Sequence, residues 1–293
     1  MKREIVIPKI IKSGANEPEL AAGAVQAPRI IAVTSGKGGV GKTNLTVNLG
    51  LAMASLNRKV IIFDADLGLA NAEILLGVHP PYSLYDCIHR NRDIAEVICP
   101  APGGIKIISG GSGILGLANL DDINHRRLMD SLQVLNNLAD FILIDTGAGI
   151  SRNVLAFLAA AEEVIVVVVP EPTSLTDSYG LIKVLAKYNL HREVSLVVNR
   201  ARNDSEATQT AKKIDQVAGR FLDLKVNYIG FIPESKVVNE SVRRQEPFAV
   251  YARQSEPARC VLGIARALLG EEAPAKPRHG ITGFARKLVR LFR

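Results

Sequence analysis

The residues of this chain best suited to chemistry lie in one octapeptide, Gly36-Lys37-Gly38-Gly39-Val40-Gly41-Lys42-Thr43, which fits the spacing G-x-x-x-x-G-K-[ST] and carries a second lysine inside the loop. Glycines at these positions let successive backbone N–H groups turn inward onto a polyphosphate, which side chains there would obstruct. Lys42 is placed to neutralise the β and γ phosphates, and the Thr43 hydroxyl is a hard oxygen of the kind Mg²⁺ takes. The expected ligand is a nucleoside triphosphate with its magnesium ion. The expected contact set is Gly36, Lys37, Gly38, Gly39, Val40, Gly41, Lys42 and Thr43.

Such a loop has to be held between a strand and a helix. The β-branched run Ile30-Ile31-Ala32-Val33-Thr34 precedes it, and Leu45, Leu49, Ala52 and Leu56 recur at helical spacing after it. Carboxylates close two further apolar runs: Asp64 and Asp66 follow Val60-Ile61-Ile62-Phe63, and Asp145 follows Phe141-Ile142-Leu143-Ile144. The carboxyl end of a strand is where open parallel sheets bind ligands, although any one of these aspartates would serve equally as a cap or turn residue. Asn199, after Val194–Val198, and Pro233, in the stretch GFIPES, end two later runs.

Strand-like runs near residues 30, 60, 105, 141, 164, 195 and 227 alternate with helical stretches. The alternation predicts an α/β fold, a doubly wound and mostly parallel sheet with helices on both faces. Val164–Val169 is apolar at every position, as a central strand covered on both faces should be, and Pro170 stops it too early for a membrane span. At 293 residues the chain accommodates one large domain, expected over 29–270, with a flexible extension at 1–28, a hinge at 271–279 and a tail at 280–293. Pro8 and Lys9 interrupt the apolar N-terminal stretch, so no secretory signal is expected. Cys87, Cys99 and Cys260 have no C-x-x-C spacing, which suits reduced thiols of a cytoplasmic protein and disfavours zinc or iron–sulfur sites.

The net charge of +7 is unevenly spread. Six basic and no acidic residues follow Glu272, and residues 1–30 hold five basic against three acidic, leaving a near-neutral body that is no obvious nucleic-acid surface. In the tail, Ile281, Phe284, Leu288, Leu291 and Phe292 fall on one helical face, with Arg286, Lys287 and the other cations mostly opposite. This predicts an in-plane membrane-targeting helix over 280–293 on an anionic surface, with a terminal helix docked on the protein's own core as the alternative.

The runs TSGKGGVGKTNLTVNLG, VIIFDADLGLAN and FILIDTGAG resemble the deviant P-loop ATPases of the MinD and ParA group, over roughly residues 30 to 250. The resemblance implies a weak Mg²⁺-dependent ATPase of P-loop NTPase fold that forms an ATP-dependent homodimer. In that scheme Lys37 reaches the partner's phosphates, Asp145 holds Mg²⁺ through water, Asp64 supports the metal's water shell, and Asp66 orients or deprotonates the attacking water. Asn199 is expected to read the adenine edge and Pro233 to flank the base. The catalytic set would be Lys37, Lys42 and Asp66, with Thr43, Asp64 and Asp145 serving the metal. Finer wording, such as DADLGLANAEILLGVHPPYSLYDCI and PEPTSLTDSYGLIKVL, looks like the FlhG branch, which regulates flagellar number and placement. That resemblance implies a cytoplasmic protein, reversibly peripheral at the inner face of the cell membrane through its tail, with FlhF or flagellar C-ring and regulatory proteins as partners. The DQAxxLR-like motif of FlhF-stimulating members does not occur in residues 1–29. Division-site MinD, a DNA-partition ATPase of the ParA type using Arg243, Arg244 and the stretch 200–213, and a nucleotide-scaffolded binding module without turnover are the alternatives.

Overall fold

The computed structural model of the chain describes residues 27–66, 71–110, 122–270 and 279–292. Nearly all of the expected extension and hinge lies outside these residues. Among the described residues the strands are β1 (Arg29–Thr34), β2 (Val60–Ala65), β3 (Cys99–Pro100), β4 (Lys106–Ser109), β5 (Phe141–Thr146), β6 (Glu163–Val168), β7 (Glu193–Ala201) and β8 (Lys225–Pro233). They form one sheet in the order β3-β4-β2-β5-β1-β6-β7-β8. Every pairing is parallel except β3 with β4. All seven expected runs are strands. The two-residue β3 carries no periodic signal because it is too short to show one.

Residues along β1 divide between the two faces as the pleat demands: Ile30 and Ala32 enter one core, Ile31 and Val33 the other. The second core is covered by α1 (Lys42–Ser55), α2 (Asn71–Leu76), and, near the end of the domain, α10 (Phe248–Tyr251) and α11 (Glu256–Gly270). Between α2 and α10 come α3 (Leu84–His89), α4 (Ile94–Val97), α5 (Asp122–Gln133), α6 (Arg152–Ala160), α7 (Pro172–Lys187), α8 (Asp204–Phe221) and α9 (Lys236–Arg244). Helix α1 is buried on nearly every side, Val47, Leu51 and Met53 as well as Leu45, Leu49 and Ala52. It lies between the sheet and α11, so apolar residues fall on more than one of its sides.

Arg29 ties the lower end of the sheet together. Its guanidinium makes two 2.7 Å hydrogen bonds to Glu163, donates to the Leu268 carbonyl at 2.7 Å, and lies 5.2 Å from the Phe141 ring centroid. One buried cation thus joins β1, β6, β5 and the end of α11.

The tail forms a helix, α12 (Gly280–Phe292), as expected, and its apolar face is taken up within the molecule. Ile281, Phe284, Leu288 and Phe292 are buried in the first core, Leu291 is partly buried, and Arg286 and Lys287 are exposed. Phe157 of α6 lies 6.2 Å from Phe284 and 6.3 Å from Phe292 between ring centroids. The gap left under the helix is only about 20 Å³, lined by apolar side chains including Phe63, Ile142 and Leu288, room for about one water. The surface that sequence alone offers to lipid is here a core surface, because an apolar stripe meets the same energetic need in either setting. Phe157→Ala should cost about 3–5 kcal/mol in urea unfolding, as for other large aromatic deletions. A loss below about 1 kcal/mol would mean that the three rings are not packed as described.

Candidate nucleotide site

The octapeptide follows β1 directly and ends in the first turn of α1, at the point where the chain's path across the sheet reverses: β2 to β5 lie on one side of β1 and β6 to β8 on the other. Gly41 has φ 95°, a left-handed conformation, and a Cβ there would collide with the Asn199 amide. At Gly36 a Cβ would collide with the backbone of Asp177 and Ser178 in α7, so its small size is required by close packing of α7 as well as by the ligand. Gly38 and Gly39 are exposed and have open space at the Cβ position.

Asp64 and Asp145 are directly opposite each other on β2 and β5, and Val33 at the end of β1 is opposite Asp145. Asp145 is fully buried. One of its oxygens accepts from Thr46 Oγ1 at 3.3 Å, the Thr43 hydroxyl stands close to the carboxylate, and Oδ2 has no partner. A buried, unpartnered carboxylate oxygen beside a threonine hydroxyl fits a hard cation held through water. Among the described residues no group of three or more His, Cys, Asp or Glu could hold a metal ion.

Burial raises the Asp64 carboxyl to about 7, with the Asp145 charge adding to the effect. It raises Asp145 to about 6, opposed by the Thr43 hydroxyl and the charge of Lys42. Lys42 is buried as well, and its pKa is lowered by desolvation against the pull of Asp145 and Asp66. The three groups put both signs of charge out of water at the sheet's centre, an arrangement that Mg²⁺ and an anionic polyphosphate would complete.

The structure also gives these residues local tasks. Asp64 accepts from the backbone N–H groups of Asp66 and Ala72, both at 3.1 Å, so it ties the end of β2 to the first turn of α2, the capping role that an aspartate at a strand end would suggest on its own. Asp66 lies near Lys42 and next to Gly147. Lys37 is held by Glu171 Oε2 at 3.1 Å and Thr173 Oγ1 at 2.9 Å, at the start of α7. Asn199 donates to the Val40 carbonyl at 2.7 Å and accepts from Arg200 N at 3.0 Å, so its amide supports the phosphate loop from behind. The left-handed Arg200 (φ 55°) and the register shift between Asn199 and Ala201 set that orientation. Pro233 ends β8 beside it, opposite Ala201.

Sequence reasoning missed Glu171, Thr173 and Thr46. Thr46 was within reach, since it stands one helical turn beyond Lys42, whereas Glu171 is 134 residues from its partner. The loop after β5 is joined to the phosphate loop by Gly149 N donating to Ser35 O at 2.9 Å.

A family model for the CobQ/CobB/MinD/ParA nucleotide binding domain matches residues 31–248. The chain belongs to the CobQ/CobB/MinD/ParA family. The antiactivator FleN of Pseudomonas aeruginosa is 37% identical over 91% of this chain and 95% of its own length. The flagellum site-determining protein YlxH of Helicobacter pylori is 32% identical over 89% of this chain and 90% of its own. The septum site-determining protein MinD of Pyrococcus horikoshii, solved in complex with Mg-ADP, superposes with a TM-score of 0.66 at 27% identity, over 85% of this chain and all of that one. As a MinD/ParA-type ATPase the chain takes ATP and ADP with Mg²⁺ as cofactors.

The raised Asp64 and Asp145 carboxyls have a definite sign in stability. The fold holds their protons more tightly than the unfolded chain does, so their contribution is complete below the ordinary carboxylate range and is lost as pH rises through about 6 to 7. Without Mg²⁺ and nucleotide, the Tm of Asp64→Asn relative to wild type should rise between about pH 5 and about pH 8. Each kcal/mol corresponds to ~2–4 °C in a domain of this size, measured by scanning fluorimetry. A Tm offset independent of pH would contradict this account of the buried pair.

Proposed function

We propose that the chain is an ATP-gated switch that regulates flagellar number or placement, pairing as a homodimer around ATP and attaching in that form to an anionic membrane surface through α12. The similarity to FleN and YlxH along almost their whole lengths supports the flagellar setting. The observation that carries the switch is Lys37, whose side chain projects from the phosphate loop and is held by a half-exposed pair with Glu171 and a hydrogen bond to Thr173. Such a pair is worth about 0–1 kcal/mol, so exchanging it for the triphosphate of a second copy costs little. Two facing triphosphates repel, and a lysine supplied by each partner makes the contact attractive while the terminal phosphate is present.

In this reading the N–H groups of Gly38, Gly39 and Gly41 cradle the phosphates, Lys42 neutralises them, and Asp66, beside Lys42 and Gly147, takes the proton of the attacking water. Thr43 and Asp145, with Asp64 behind them, would hold Mg²⁺, whose chemistry is to neutralise charge on the β and γ oxygens. Asn199 and Pro233 line the place for the base.

Attachment requires α12 to exchange one apolar environment for another. Burial of each large apolar side chain is worth about 1.5–3 kcal/mol in the core and is roughly matched in a bilayer, so a small bias decides between them. Arg286, Lys287 and Arg290 each add about 1 kcal/mol on anionic lipid, and pairing two tails raises avidity about 10²–10⁴-fold. Among the described residues no helix is long and apolar enough to cross a membrane, which leaves in-plane attachment as the route. The resulting location is cytoplasmic and reversibly peripheral. FlhF and flagellar C-ring or regulatory proteins are the partners to test.

Division-site MinD is the second reading, supported by the superposition on a septum site-determining protein. A DNA-partition role is less well supported: Arg244 is paired with Glu240 at 2.8 Å and Arg202 with Glu206 at 3.1 Å, which makes those helices solvated faces with both signs of charge.

Asp66→Ala should lower turnover by about 10²–10⁴-fold and retain ATP-dependent dimers by light scattering. Lys37→Ala should bind nucleotide yet remain monomeric. Loss of the gene in its host should change the number or position of flagella. Dimers of the Lys37 variant with ATP would overturn the trans-lysine switch, and unchanged turnover in the Asp66 variant would turn the reading toward a scaffold without catalysis.

A further inference from the structure

Both ends of α12 are held by polar groups: Arg152, at the start of α6, holds one, and Asn136 together with Glu162, the latter just past the end of α6, holds the other. At the N-terminal end Asn136 accepts from Ile281 N at 3.0 Å and donates to Thr282 Oγ1 at 3.1 Å, while Glu162 accepts from His279 N at 2.8 Å and Gly280 N at 3.3 Å. At the C-terminal end Arg152 Nη2 donates to the Leu291 and Phe292 carbonyls at 3.3 and 3.1 Å. Carbonyls of a last helical turn carry partial negative charge and lack partners within the helix, so a guanidinium suits them.

Arg152 is the first residue of α6, one position after the cap Ser151. The loop before it, 147–150, leaves the buried Asp145–Thr146 strand end, contains Gly149 at φ 86°, and is bonded to the residue preceding Gly36. Five residues further along the same helix, Phe157 stands against both Phe284 and Phe292. One short helix therefore begins at the loop bonded to the residue before the phosphate loop and carries the two side chains that grip the tail.

We propose that Arg152 is a positioning residue that latches α12 to the loop 147–151, and that α6 transmits a shift of that loop to the tail. The proposal rests on the nucleotide-switch reading above and adds the route by which the site reaches α12. A rearrangement of the loop around a triphosphate moves the N-terminus of α6, withdraws Arg152 from the two carbonyls and loosens the Phe157 contacts. Asn136 and Glu162, at the far end, retain α12 in place only while the near end is closed.

Hydrogen–deuterium exchange of the segment 281–292 in the full chain tests the latch, comparing Mg-ADP with Mg²⁺ and a non-hydrolysable ATP analogue. In the wild type exchange should be slow with ADP and about tenfold faster with the analogue, a factor equivalent to ~1.4 kcal/mol. Arg152→Gln should exchange at the fast rate with both nucleotides, so the ratio falls to about one. Asn136→Ala loosens the other end and serves as the comparison: both rates should rise and the ratio should persist. An Arg152→Gln protein that keeps the wild-type ratio, or a wild type with no ratio to lose, would overturn the latch. Flotation with phosphatidylglycerol-containing vesicles separates this from the membrane reading. A tail that is released by the analogue yet does not bind vesicles refutes the membrane role and leaves the latch standing.

Discussion

Charge taken out of water at the carboxyl edge of the sheet is the constraint on which the rest of this structure depends. Asp145 has no solvent exposure and one unpartnered oxygen, Asp64 is opposite it one strand away, and Lys42 is buried beside them. Left alone, such a group is costly, and the fold answers with Thr43, Thr46 and the backbone N–H groups that Asp64 accepts. These partners leave a deficit that a divalent cation with a polyphosphate fits. The reversal of the chain's path at β1 opens the crevice in which that ligand can reach all of them.

Much of this was legible before any coordinates. The phosphate loop is a local pattern whose spacing carries its own geometry, and long apolar runs such as Val164–Val168 can hardly be anything but central strands. What sequence could not reveal were partners far apart along the chain. Asn199 could be placed at a strand end, but its hydrogen bond to Val40 spans 159 residues, and the hold of Glu171 on Lys37 spans 134. Asp64 shows another limit. A carboxylate at a strand end suits both a metal's water shell and a backbone brace, and only the bonds to Asp66 and Ala72 bring out the second use.

The tail is the case in which one pattern had two meanings. Ile281, Phe284, Leu288 and Phe292 make a stripe that fits a bilayer, and the structure buries that stripe against Phe157 and the sheet. Amphipathicity specifies that a helix must cover its apolar face without specifying with what. The same ambiguity makes a switch possible, since two environments of similar worth can be exchanged by a bias of a few kcal/mol. Because α6 packs the tail and also continues the loop after Asp145, the chemistry of the phosphate site and the position of the tail meet in one element.

The most direct test follows α12 itself. With 4-fluorophenylalanine in place of Phe284 in the full chain, fluorine NMR reports whether that ring is in the core. The account predicts one core resonance with Mg-ADP and a second, lipid-exposed resonance with the non-hydrolysable ATP analogue and anionic vesicles. A single unchanged resonance in both nucleotides, with or without vesicles, would contradict it.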